Sequence, residues 1–408
     1  MLLDAPVARS LSVTRGEDVT KMSAGGDHAL VFGQRILSLL ETASFTASYK
    51  YAVLLALIDA VLEATDEHGD PPTEVHGRDI GRRVLELYWP QARNFTAQGP
   101  LTQSQFSRDA ARRDIVQKLG DFRREHRIPE YATVEQVRRR HGDAFAELER
   151  GVVATVVRYP ITLLQKVGAG GRAVEQCFIY EYGWSQSIST AAVHRTSFDD
   201  RMPLVDDAGR HLATLAGLLR PVIQREWLQF VARHNDADVE ELRLQQYLFG
   251  GERIGLAALV DPLHALQEGR CFYCDGVAAG GWEVDHFLPW ARLQDDKLDN
   301  LVLAHRRCNN DKRAALAGID HLARWSRRFD GSSPLSVGLD VIAADSEWPR
   351  RPAATLGAAR ALYLHQPEGT PLWVGRPGRV VPLDRTRLLS VLRSDVGLAA
   401  EGRGPYEA

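Results

Sequence analysis

Cysteine and long apolar runs are both scarce in this chain. Four cysteines in 408 residues exclude a fold built on disulfides. The best candidate for a membrane span, residues 51–62, is shorter than the roughly 18 residues that such a span needs and contains Asp59. The first thirty residues show no apolar segment behind a basic start, so no secretory signal is predicted. We therefore expect a soluble, cytoplasmic protein without a membrane partner.

Lysine is rare too, and net charge is small. Only six of the 50 basic residues are lysines, and 53 acidic residues bring the net charge to −3. This balance excludes a globally basic nucleic-acid coat but permits a local basic groove. No phosphate-binding loop with its lysine is present, so no nucleotide cofactor is expected. The 44% hydrophobic and 25% charged content is that of a globular protein and excludes disorder as the main state.

Most of the chain shows apolar residues spaced three and four apart, which predicts helices. The helical segments are residues 30–65 (two helices), 79–89, 104–126, 134–148 and 212–235. β-branched and aromatic residues predict a small sheet or hairpin within 152–184, around the glycine run 168–171. A second hairpin is predicted at 371–383. Cys177, isolated among apolar residues, is interpreted as a core residue.

These patterns predict the α+β class, and the length favours two or three domains. The predicted parts are a helical N-terminal domain (1–150), a mixed helical and β connecting region (151–250), a compact module (251–330) and a C-terminal appendage (331–408). Residues 108–140 carry ten basic and six acidic residues. We interpret this segment as a solvated pair of helices, and the alternative is a second DNA-binding or partner-binding surface.

Three of the four cysteines cluster in the compact module. Cys271 and Cys274 are separated by two residues, and His305 and Cys308 repeat that gap 31 residues later. Two such pairs can hold one tetrahedral ion, and thiolates with an imidazole are ligands that zinc prefers. Four protein ligands leave no position for water. We therefore predict a structural zinc site on these four residues.

A second constellation lies between the two ligand pairs. A short strand ends in Asp285 and His286, Asn300 opens the next strand, and Asn309 follows a zinc ligand at the start of a helix. Oxygen ligands such as Asp285 and Asn309 suit a hard divalent cation, which neutralises the charge that develops when a phosphodiester is cleaved. An imidazole such as His286 can deprotonate water near neutral pH. Asn300 could orient the loop that carries the imidazole.

This segment resembles the HNH endonuclease family, whose module is the ββα-metal fold. The matching motifs are Asp285-His286, then Asn300 with its neighbours, and Cys308-Asn309 with Lys312. The resemblance spans residues 256–318. It implies a metal ion on Asp285 and Asn309, His286 as the general base, Asn300 as the middle residue of the signature, and structural zinc on cysteine pairs. Asn309 stands where the family also uses histidine, and His305 opens the second zinc pair where a cysteine is common.

The resemblance also implies partners and cofactors. The predicted function is hydrolysis of DNA phosphodiester bonds with Mg²⁺ or Mn²⁺, in bacterial antiviral defence or restriction. Phosphate contacts are predicted for the basic residues around the site, Arg306, Arg307, Lys312 and Arg313. With one site per chain, a homodimer would cut both strands. The alternative is a zinc-stabilised nucleic-acid-binding subunit that is inactive or needs a partner subunit.

Overall fold

The computed structural model describes residues 16–393 except for 43–45, 96–98, 106–113, 168–173, 236–239, 251–252 and 278–280. The helices in this range are α1 (Gly16–Thr42), α2 (Tyr49–Glu63), α3 (Gly77–Tyr88), α4 (Ile115–Glu125), α5 (Val134–Arg158), α6 (Pro160–Leu164), α7 (Thr190–Val193), α8 (Ala208–His234), α9 (Glu241–Phe249), α10 (Arg253–Leu256), α11 (Val260–Leu266), α12 (Arg306–Lys312), α13 (Ile319–Ser326), α14 (Pro334–Ser346), α15 (Pro352–Leu364) and α16 (Arg385–Leu392). No helix among these described residues is long and apolar enough to cross a membrane.

The described strands form small two-stranded antiparallel sheets. The pairs are β1 (Glu74–His76) with β4 (Arg201–Pro203), β2 (Lys166–Val167) with β3 (Val174–Glu175), β5 (Trp282–His286) with β6 (Leu301–His305), and β7 (Pro371–Gly375) with β8 (Arg379–Pro382). The predicted α+β class with a helical N-terminal region is confirmed, and so is the predicted hairpin near the C-terminus.

Helix α2 forms the centre of the helical region. Its residues Tyr51–Asp59 are all buried, and it packs against α3, α8 and α15. A helix covered on several sides needs apolar residues all round. This burial explains the apolar run at residues 51–62. Asp59 in this run is paired with the guanidinium of Arg220 on α8, so its burial is compensated.

The strand predicted at residues 152–157 is wrong, because this segment continues α5. Val152, Val153, Val156 and Val157 are all buried. Their spacing places them on one face of α5, which packs along α3. β-branched residues are weak helix formers in isolation, but tertiary packing overrides that preference.

The interpretation of Cys177 as a core residue is also wrong, since it is exposed. It lies in an irregular segment after β3 whose next residues, Phe178–Tyr180, are buried. The side-chain Oε1 of Gln165 accepts hydrogen bonds from the backbone N–H groups of Phe178 and Ile179 (3.0 and 2.8 Å). This anchor turns the apolar neighbours inward and leaves the cysteine outside. The predicted glycine turn 168–171 lies outside the described residues.

The C-terminal helices contribute to the core of the rest of the chain. Helix α15 packs on α2. Leu339, Ile342 and Trp348 join an apolar cluster that also contains Leu298, Leu301 and Leu303. Helix α5 runs through position 150. The four-part division of the chain stays a prediction.

Candidate active site and metal centre

Strands β5 and β6 form a ribbon that leads directly into α12. The antiparallel register pairs His286 with Leu301 and Trp282 with His305. Because side chains alternate along a strand, Glu283 and Asp285 project to the same side of β5. Helix α12 packs against both strands. The strand, loop, strand and helix order predicted for this segment is therefore observed, with the helix beginning at Arg306, three residues before Asn309.

The four predicted zinc ligands meet beside this ribbon. One ligand atom from each of Cys271, Cys274, His305 and Cys308 lies within 4.8 Å of every other. Nδ1 of His305 is 3.3 Å from Sγ of Cys274, close to the about 3.5 Å that separates two ligands of one tetrahedral zinc ion. Three of the four residues are buried. Donor types and spacing thus fit a Cys₃His zinc site.

Burial and mutual proximity oppose simultaneous ionisation of the thiols in this cluster. Burial and the neighbouring Cys271 and Cys274 thiols raise the pKa of Cys308 to about 12. Burial also opposes ionisation of Cys274, but hydrogen bonding, first from the backbone of Gly276, lowers its pKa overall. Thiolates are the metal-binding form. A zinc ion would supply the positive charge that three adjacent thiolates require.

An open cleft lies on the ribbon and α12. Asp285, His286 and Asn309 all line it, together with Trp290 and Arg313. Its volume is about 610 Å³. The three residues that the sequence predicts to act together therefore share one solvent-accessible cavity. Asn309 lies 24 positions after Asp285 and 23 after His286, so it could equally have faced another side of the module.

Asp285 is held through one of its two carboxylate oxygens. Oδ2 accepts a 2.5 Å hydrogen bond from the hydroxyl of Tyr273 and lies 3.0 Å from Nζ of Lys312. Burial and the Asp285 charge raise the pKa of Tyr273 well above its ordinary value, so this hydroxyl stays a donor. Because both contacts use Oδ2, Oδ1 is the oxygen that remains for a metal ion.

Lys312 is placed differently from the prediction. It is buried, and its ammonium donates to the backbone oxygen of His286 (2.8 Å) as well as approaching Asp285. The structure puts this lysine inside the module and not on a DNA-facing surface, because it neutralises a carboxylate that is itself almost buried. A buried ion pair of this kind fixes both partners.

His286 contacts two side chains that the sequence analysis did not select. Its Nε2 lies 2.6 Å from Oδ1 of Asp296, and its ring centroid is 5.0 Å from that of Trp290. If Nε2 carries the proton that Asp296 accepts, Nδ1 is the nitrogen that can take a proton from water. The only sequence signal for Asp296 is its place in an acidic loop ten residues after the histidine.

Asn300 is fully buried behind the loop that follows β5. Its Oδ1 accepts from the backbone N–H of Leu288 (2.8 Å), and its Nδ2 donates to the backbone oxygens of Leu288 (3.2 Å) and Asp295 (3.0 Å). The amide thus ties both ends of the loop that carries Trp290 to the start of β6. This placement fits the orienting task predicted for Asn300.

Asn309 is oriented by a second residue missed in the sequence, Glu283. Nδ2 of Asn309 donates to Oε2 of Glu283 (2.9 Å), and Nε of Arg306 donates to Oε1 (2.9 Å). Because Nδ2 of Asn309 donates to Glu283, Oδ1 is the atom of this amide that could bind a metal ion. The signal for Glu283 was available, since it stands two residues before Asp285 on the same strand face.

The remaining predicted DNA-contact residues, Arg306, Arg307 and Arg313, are exposed. Two arginines in and just after α13 are not equivalent to them. Arg328 is buried and donates to the backbone oxygens of Asp299 and Leu301 (2.9 and 2.8 Å). Arg324 donates to the carbonyl of Phe272. These two arginines brace the module.

The basic segment at 108–140 is extensively ion-paired where the structure describes it. Arg138 contacts Glu135 and Glu149 (both 2.9 Å), and Arg140 contacts Glu347 (2.6 Å). Positions 106–113 are outside the described residues. The described contacts favour the interpretation as helices with solvated, paired charges.

The ribbon, the helix and the Cys₃His cluster together define an HNH-type ββα module. Residues 274–318 match the family model of HNH endonucleases, so the resemblance found in the motifs is confirmed and the chain carries an HNH nuclease domain. Residues 30–249, more than half of the chain, match the model of a domain of unknown function, DUF8808. The chain belongs to this DUF8808 family. Neither the curated proteins nor the solved structures gave a match.

Proposed function

We propose that this protein is a metal-dependent endonuclease that hydrolyses phosphodiester bonds of DNA. The observation that carries the proposal is the meeting of Asp285, His286 and Asn309 in one open cleft of the HNH domain. In this proposal the cleft supplies oxygen ligands for a metal ion and a proton acceptor, the two functions that hydrolysis of a phosphodiester needs.

The side chains of the cleft fit a hard divalent ion, Mg²⁺ or Mn²⁺. Asp285 and Asn309 would hold it through Oδ1 atoms, because Oδ2 of the first and Nδ2 of the second are occupied by protein partners. Magnesium is commonly bound by one or two protein oxygens and retains several waters. When bound, it would stabilise the charge that develops on the phosphate and on the leaving oxygen.

His286 acts as the general base in this proposal. Asp296 fixes the ring through Nε2 at 2.6 Å, which directs proton acceptance to Nδ1 and stabilises the imidazolium that forms. Lys312 and Tyr273 hold the Asp285 carboxylate at the strand end, next to His286. Asn300 fixes the loop between the two strands, so it positions the base without touching substrate.

Roles for the remaining predicted residues follow from their positions. Zinc on the Cys₃His cluster is structural, since four protein ligands close the coordination sphere. Arg306, Arg307 and Arg313 are the exposed cations beside Asn309, and they would contact DNA phosphates without reading sequence. A role in bacterial restriction or antiviral defence belongs to the same proposal by analogy, because nuclease modules joined to larger domains serve there.

The test is cleavage of supercoiled plasmid by the purified zinc-loaded protein with and without Mg²⁺ or Mn²⁺. We expect nicking that requires the added metal and falls at least 100-fold in His286→Ala. His68→Ala, which removes an exposed imidazole, is the matched control and should cleave like the parent. Equal cleavage by His286→Ala and the parent would refute the assignment of the base.

The same experiment distinguishes the nuclease from the alternative, a zinc-stabilised nucleic-acid-binding subunit. A parent protein that shifts DNA in a binding assay but never cleaves it, with either metal, would indicate a nucleic-acid-binding subunit. Addition of candidate partner proteins would then reveal whether cleavage requires a complex.

A further inference from the structure

A second cavity lies where the helical region, the HNH domain and the segment before α15 meet. Its volume is about 300 Å³, at the lower end of the range for small-molecule sites. The wall contains seven arginines or lysines, four carboxylates and five aromatic residues. It has no counterpart in the motifs of the sequence, because its residues come from positions between 83 and 351.

Four cations act on Glu86 in the wall of this cavity. Burial opposes ionisation of this carboxylate, yet Lys297, Arg83, Arg351 and Arg138 together lower its pKa to about 2. Three of these cations have further acidic neighbours. Arg83 also contacts Glu63, Arg138 contacts Glu135 and Glu149, and Lys297 lies near Asp295.

Arg351 is the cation with the most freedom in this cluster. Its closest carboxylate oxygen, on Glu86, is 3.8 Å away, and its side chain is 43% exposed. Lys297 lies 3.6 Å from Asp295. Both distances exceed those of a hydrogen-bonded ion pair, so both groups keep N–H donors for an incoming anion, with Arg351 (43% exposed) more accessible than Lys297 (16%).

Aromatic side chains line the same cavity as these cations. They include Trp89, Tyr131, Trp290 and Trp348. Tyr131 is 37% exposed, while the indole nitrogens of Trp290 and Trp348 donate to backbone oxygens (2.6 Å each) and fix those rings in place. Aromatic faces next to arginine and lysine are the surroundings that a base joined to a phosphate requires.

We propose that this cavity binds a nucleotide, with its phosphate on Arg351 and Lys297 and its base against the aromatic side chains. The nucleotide is either a free mononucleotide or one unit of a DNA strand that extends from the nuclease cleft. The side chains of this site come from distant positions in the chain and not from a phosphate-binding loop. For this reason no local sequence motif marks the site.

The cavity adjoins the candidate general base. Trp290 lines both the cavity and the nuclease cleft, and Asp296, the partner of His286, also lines the cavity. A bound nucleotide would therefore contact both side chains that hold His286. This link to cleavage rests on the proposed function, whereas binding itself does not.

The experiment measures binding to zinc-loaded protein without magnesium, by tryptophan fluorescence and calorimetry. The probes are AMP, adenosine, inorganic phosphate and a five-nucleotide single-stranded DNA. We expect AMP or the oligonucleotide to bind, at least tenfold more weakly in Arg351→Gln and in Tyr131→Ala. Adenosine binding should depend on Tyr131 but not on Arg351. Arg201→Gln and Tyr159→Ala, exposed positions outside the cavity wall, are the matched controls.

Each outcome decides a point. Binding of AMP that depends on Arg351 supports a free nucleotide, and binding of the oligonucleotide alone with that dependence supports a strand unit. No binding, or equal losses in the control variants, would overturn the inference. Because no cleavage is measured, a protein that binds nucleotide but does not cut DNA refutes only the nuclease proposal, and one that cuts without binding refutes only this site.

Discussion

Replacement of Asn300 by alanine tests whether the loop after β5 positions the general base. The variant loses three hydrogen bonds to backbone groups of Leu288 and Asp295, and the site is fully buried. At about 1 kcal/mol net for each bond, the free energy of unfolding should fall by about 3 kcal/mol. Because the loop carries groups that hold His286, a displacement of about 1 Å should reduce cleavage about 100-fold.

The chain supplies a matched control in Asn235. This asparagine forms the same pattern of three bonds, accepting from the N–H of Thr102 and donating to the oxygens of Thr102 and Val231, but it lies in the helical region. Asn235→Ala should lose similar stability and keep its cleavage rate.

The assay is plasmid nicking at saturating Mg²⁺, at a temperature where urea unfolding shows both variants folded. The magnesium concentration for half-maximal rate should stay unchanged in Asn300→Ala, since Asn300 is not a proposed ligand. If the two variants lose activity equally, Asn300 contributes stability alone and the positioning role is refuted.

Three further predictions concern the metal centre, a buried ion pair and pH. Cys308→Ser should lose bound zinc and lower the melting temperature, whereas Cys177→Ser should change neither. Zinc analysis and thermal denaturation measure both effects. Full zinc retention in Cys308→Ser would contradict the ligand set. Lys312→Met leaves the Asp285 carboxylate without its cation, so urea unfolding should show a loss of about 3–5 kcal/mol; an unchanged midpoint would show that the pair contributes nothing. Cations near Glu86 hold its pKa at about 2, below the ordinary 4.5. The charged form therefore stabilises the fold above pH 4.5, and this contribution, up to about 3 kcal/mol, is lost as pH falls from 4.5 towards 2. Urea unfolding should show Glu86→Gln to be less stable than the parent at pH 7 but not at pH 2. If the two proteins differ in free energy of unfolding by the same amount at both pH values, this prediction is wrong.

The Cys₃His cluster and the meeting of Asp285, His286 and Asn309 in one cleft were predictable from sequence because the motif spacing is local. Two-residue gaps, and a strand that ends in Asp285-His286, bring these side chains together whatever surrounds them. The helices were predictable for a similar reason, since the three- and four-residue spacing of their apolar residues lies within each segment. The valines of α5 were misassigned because their β preference is weaker than the packing against α3, and no local pattern reports that packing.

The amino-acid sequence alone determined the class of chemistry: which side chains can bind zinc, which can hold a hard cation and which can accept a proton, all within some 40 residues. The tertiary structure alone decided how those groups are held. It buried Lys312 against Asp285, brought Asp296 to His286 and Glu283 to Asn309, and assembled the second cavity from distant segments. The physical reason is that motif spacing acts through short, stiff pieces of backbone, whereas ion pairs and cavity walls depend on contacts between residues far apart in the chain.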